Sequence, residues 1–94
     1  MRKEYRGDVA VEVRSGRPEA YFDYIEDAYG DAFRAGTDDG AETFYLLYQQ
    51  ISGLGNDSST ELFLSRFLPL LPKHARRKIL NEVMVDPRSS RRND

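Results

Sequence analysis

From residue 19 onward the apolar side chains recur at helical spacing, in runs cut by Gly, Pro and Asn. This periodicity constrains the fold more than any other feature, because a repeat near 3.6 residues gathers on one face of a helix and scatters across a strand. Phe22, Ile25, Tyr29 and Phe33 form one stripe, which Tyr21, Tyr24, Ala28, Ala32 and Ala35 widen to about half the circumference. Pro18 suits the first position of this helix, Glu19 suits its dipole, and Gly36 suits its C-terminal cap.

A second helix is expected to open near Thr37 to Asp39, where Asp39 and Glu42 have capping-box spacing. Its apolar face is Phe44, Leu47, Tyr48, Ile51 and Leu54, with Tyr45 at the edge and Leu46 pointing away. Gly53 and Gly55 stop it. Ser58 and Glu61 have the spacing to open a short third helix through about Leu68, which Pro69 ends or kinks. Pro72 restarts the chain as a fourth helix carried by Ala75, Ile79, Leu80, Val83 and Met84, and Asp86-Pro87 closes it.

The first segment reads differently. Tyr5, Val9, Val11 and Val13 alternate with Arg6, Asp8, Glu12 and Arg14, which is the period of a strand, and Ser15-Gly16 makes a turn. The expected fold is therefore mainly α: an N-terminal β-strand followed by a small four-helix domain over residues 1–87. Residues 88–94 form a polar, basic tail expected to be disordered. A lone strand leaves backbone groups without partners. It could pair with the same strand of a second copy through Val9, Val11 and Val13, dock on another protein, or simply lie extended over the helices.

Ninety-four residues without a cysteine exclude disulfides, thiolate zinc sites and cysteine nucleophiles. Residues 1–5 lack the apolar core of a signal peptide. The longest apolar run, Leu62 to Leu71, is broken by Arg66 and Pro69 and is too short to span a bilayer. A cytoplasmic protein with no membrane partner is expected.

The net charge of −2 hides a strong separation. Residues 19–42 carry eight acids and one base, whereas residues 66–92 carry eight bases and two acids. Glu19, Asp23, Asp27 and Asp31 stand at successive i+4 positions, where like charges repel. Such a column is favourable opposite a basic surface. It is otherwise an ordinary solvated face, or an imitation of nucleic-acid phosphates. Lys73, His74, Arg76, Arg77 and Lys78 crowd the opposite extreme, the already electropositive start of the last helix. They suit an anion, which could be a nucleic-acid phosphate, an acidic partner or the chain's own acidic helix. Arg76 falls inside the apolar arc, so its stem packs at the edge or its head meets a specific acid.

Catalytic patterns are lacking. His74 is the only histidine. Ser52 has Gln50 where a nucleophile elbow needs glycine, and Gly53-Leu54-Gly55 lacks the third glycine of a dinucleotide loop. Asp38, Asp39 and Glu42 do not match a calcium loop. No metal, cofactor or catalytic residue is assigned. The order of strand and helices is similar to that of ribbon-helix-helix repressors, and the last two helices to a helix-turn-helix. The mixed-sign strand and the turns do not carry either pattern, so the chain is assigned to neither family.

The expected function is a non-enzymatic protein–protein interaction module, an adaptor, inhibitor or regulator acting as a homo-oligomer. Its partner face would hold Tyr21, Asp23, Tyr24, Asp27, Asp31 and Tyr45, because tyrosine pairs an apolar body with a polar tip. Those tyrosines could equally cap the core. The alternative is a nucleic-acid-binding regulator using Lys73, Arg76, Arg77 and Lys78, together with Arg88, Arg91 and Arg92 of the tail.

Overall fold

The phenylalanines decide how the helices meet. The computed structural model describes residues 4–84, with side chains through Asn81. It contains α1 (Val9–Arg14), α2 (Glu19–Ala35), α3 (Asp38–Gly53), α4 (Asp57–Phe67), a 3₁₀ turn (Leu68–Leu70) and α5 (Lys73–Met84). All five phenylalanines of the chain, Phe22, Phe33, Phe44, Phe63 and Phe67, are buried. Their rings form a closed circuit: Phe22 to Phe63 at 5.9 Å, Phe63 to Phe44 at 5.0 Å, Phe44 to Phe33 at 5.6 Å, Phe33 to Phe67 at 5.9 Å and Phe67 back to Phe22 at 5.6 Å. Such tilted and edge-on pairs are favoured over face-to-face stacks by the ring quadrupole. The circuit joins α2, α3 and α4. Leu71, Ala75 and Ile79 extend the core to α5, which packs against α3.

The mainly helical expectation holds, and helix two to helix five stand where the periodicity put them. Gly36 caps α2 in the left-handed conformation, with φ 68°. The caps themselves differ. Thr37, not Asp39, caps α3 by accepting from the Gly40 amide at 3.1 Å. Asn56, not Ser58, caps α4 by accepting from the Ser59 amide at 3.1 Å. Each time the cap lies two residues ahead of the expected one. Pro18 stands just before α2 rather than inside it. α4 ends at Phe67, with Leu68 as its C-cap directly before Pro69, and Pro69 continues the chain within the 3₁₀ turn. Gly40 is required for a steric reason, because a Cβ there would overlap the carbonyl oxygen of Ala32 where α3 crosses α2.

The N-terminal strand is not present, and the described residues contain no strand. Val9, Val11 and Val13 lie in α1 instead. The alternation was deceptive because Tyr5, Val9 and Val13 are spaced by four, a multiple of two that also falls on one helical face. Only Val11 separates the two readings. In a strand it would face the core with its neighbours, but it is 60% exposed, while Val13 is fully buried. Asp8 starts the helix by accepting from the Val11 amide at 3.1 Å. Tertiary bonds then override the β propensity of valine. Ser59 Oγ donates to the Val13 carbonyl at 2.6 Å, and Asn56 Nδ2 donates to the Arg14 carbonyl at 2.9 Å. The backbone groups that a lone strand would leave open are thus satisfied within the chain. Val83, Met84 and the tail at residues 88–94 fall outside the described side chains.

Asn56 therefore does two jobs, with separable consequences. Asn56→Asp keeps a good cap and loses the bond to Arg14, whereas Asn56→Ala loses both. We expect urea denaturation to show Asn56→Ala less stable than Asn56→Asp by about 1 kcal/mol, with both below the native chain.

Candidate functional site

The acidic column and the basic helix start do not answer each other. Three acids of α2, Asp23, Glu26 and Asp31, pair with Arg66 of α4 and with Arg34 of α2 itself. Arg66, near the end of α4, reaches Asp23 at 2.6 Å and Glu26 at 3.0 Å. Its guanidinium also lies 5.5 Å from the ring centroid of Phe67, so the charge rests on the edge of the aromatic core. Arg34, on α2 itself, approaches Glu26 at 3.6 Å and Asp31 at 3.5 Å. Together with Asp27 these residues line an open hollow of about 460 Å³.

Arg66 was legible in part. It interrupts an apolar run, and a cation at the border of a buried face needs either water or an acid. For Arg76 the same rule predicts either an edge position with its head in water or a specific acid; Arg76 is exposed on α5 and lines a groove with Leu64 and Leu68.

The α5 cations divide into two groups. Lys78 reaches Asp38 at the start of α3, at 3.2 Å. His74 Nε2 lies 3.2 Å from the Gly36 carbonyl, a contact that needs the ring proton on Nε2. Both tie α5 to the α2–α3 connection. Lys73, Arg76 and Arg77 are exposed, and none of the three has an ion pair with another described residue. Three cations thus share the first two turns of a helix whose own dipole already favours anions.

The tyrosines expected to face a partner are mostly enclosed by the chain. Tyr21 is 5% exposed. The arm before α1 folds back so that Tyr5 packs on Tyr21 at 5.3 Å and on Tyr24 at 5.6 Å between centroids. The Tyr5 hydroxyl shares its proton between the two Glu12 carboxylate oxygens, at 2.7 and 2.8 Å. Tyr24 and Tyr29 are half-buried at the edge of this cluster, and Tyr45 and Tyr48 stack on each other along α3. Asp23, Asp27 and Asp31 remain exposed on the outer side of α2. The expected partner-binding set is therefore split, with its acids outside and Tyr21 inside.

Among the described residues no helix is long and apolar enough to cross a membrane. Comparison with family models, curated proteins and solved structures finds no match to this chain.

Two consequences can be measured. The Tyr5 hydroxyl is pushed up to about 12 from an ordinary 10.0, first because Glu12 accepts its proton, then through burial and the charges of Glu12 and Asp23. The fold thus favours the neutral phenol. Its contribution is complete below the unfolded value and is lost as pH rises through about 12. In a titration followed by tyrosinate absorbance, Tyr5→Phe should remove the last tyrosine to ionise. Arg66→Met keeps the packing on Phe67 but removes both ion pairs. With the guanidinium partly solvated, the expected loss is about 1 kcal/mol, shrinking as salt is added to a denaturation series.

Proposed function

We propose that this chain is a non-enzymatic interaction module that docks an anionic partner through the exposed basic face of α5. One observation carries the reading. Asp23, Glu26 and Asp31 of α2 have counter-charges in Arg66 and Arg34, whereas Lys73, Arg76 and Arg77 pair with no described carboxylate. Cations gathered at the electropositive start of a helix raise the local potential, and that arrangement is favourable only when an anion is brought to it. A surface made to be solvated would more cheaply mix its signs. Self-association is left out of the proposal, because the strand-edge residues form α1 and the tyrosine-rich face of α2 is partly covered, with Tyr21 buried and Tyr5 packed on Tyr21 and Tyr24.

The basic residues also suit nucleic-acid phosphate, as the sequence alone indicated, so the test includes both kinds of anion. The full chain is titrated at low salt with fluorescent polyglutamate and with double- and single-stranded DNA and RNA. Binding of at least one polyanion is expected, weakening steeply as salt rises. Arg76→Glu with Arg77→Glu should abolish it. Asp27→Lys, on the opposite charge surface, should leave it intact. Absence of binding to every polyanion at low salt would sink the proposal.

A further inference from the structure

The basic face of α5 has an apolar side, and we infer that its partner is an acidic, amphipathic segment of another protein, seated in the groove between α4, the 3₁₀ turn and α5. The inference rests on the reading that the α5 cations are the docking face. The groove is an open depression of about 430 Å³ lined by Leu64, Ser65, Leu68, Pro69 and Arg76. Leu64 and Leu68 are half-buried and one helical turn apart, so their outer edges form an apolar floor. Arg76 stands at its margin. On α5 itself Lys73, Arg76, Arg77 and Leu80 occupy positions i, i+3, i+4 and i+7. That spacing puts them on one stripe, and Leu80 is 46% exposed.

An exposed leucine alone means little, because folded proteins carry many. The juxtaposition is the informative feature: Arg76, a cation without a described carboxylate partner, borders an apolar floor, with Lys73 and Arg77 on the same helical stripe. A segment with carboxylates on one side and leucine-like side chains on the other would satisfy both halves at once. Its acids would meet Arg76 and Arg77 as charge-assisted, bidentate pairs. Its apolar residues would cover Leu64, Leu68 and Pro69 in the helix-in-groove manner. Nucleic acid fits less well. It supplies phosphates but no aliphatic knobs, and the residues lining the groove include no aromatic ring on which a base could stack. The chain's own acidic helix does not fit either. Phe22, Ile25 and Phe33, the apolar side of α2, are in the core.

The test uses the full chain at low salt and three probes. One is a synthetic helical peptide with leucines on one face and glutamates on the other. The second has the same glutamates with the leucines replaced by alanine, and the third is duplex DNA of matched charge. We expect the leucine peptide to bind at least about tenfold more tightly than the alanine peptide. Leu80→Ser, at an exposed position that does not threaten folding, should remove several-fold of that preference, and Arg76→Ala should weaken both peptides. Equal affinity for the two peptides would overturn the groove while leaving the basic docking face intact. Tighter binding of duplex DNA than of the leucine peptide would overturn the choice of partner. Self-association of the chain that the leucine peptide fails to displace, seen by sedimentation, would assign the groove to a second copy and overturn the inference. Binding of none of the probes would remove the docking face and the groove together.

Discussion

The closed circuit of five phenylalanine rings is the constraint on which the other contacts depend. A chain of this length has little interior volume, so a few large side chains must supply most of the buried apolar surface. Phe22 and Phe33 come from α2, Phe44 from α3, and Phe63 and Phe67 from α4. Fixing those rings against one another fixes the three helices. It also brings α2 and α3 so close that Gly40 must pass the Ala32 carbonyl without a side chain.

Once the rings are in place, charge follows. Phe67 is buried at the last residue of α4, which leaves its neighbour Arg66 at the border of the core, facing α2. The guanidinium is then within reach of Glu26 and of Asp23, which gives one member of the acidic column a counter-charge from 43 positions away in the chain. α5 lies against α3, where among the described side chains only Lys78 finds an acid. The two charged surfaces are therefore different in kind. The α2 surface is largely an internal ion-pair network. The α5 surface presents cations to the outside, beside an apolar groove, and this contrast is the basis of the proposed interaction function.

The N-terminal segment shows how a pattern can satisfy two structures at once. Residues 5, 9 and 13 are compatible with both a strand and a helix, and valine favours the strand. The outcome depends on Asn56 and Ser59, which take the carbonyls at the end of α1 from more than 40 residues away. Tyr5, which the alternation alone places in a strand, closes the arm over Tyr21 and Tyr24 and so covers part of the aromatic face of α2.

By itself the sequence determined the four longer helices, the centres of their buried faces and the concentration of opposite charges in two segments. These depend on spacing within a single run, and 3.6-residue periodicity, Gly36 and the prolines encode them locally. Ala32, Ala35 and Leu80, expected on the buried faces, are instead exposed. Cap positions were legible only to within two residues, because Thr37 and Asn56 compete with equally good capping residues nearby. Only the tertiary structure decided the state of residues 9–14, the counter-charge of the acidic column, the enclosure of Tyr21 and the groove beside Arg76. Each of those is a contact between residues far apart in the chain, and no local preference specifies which distant side chain arrives.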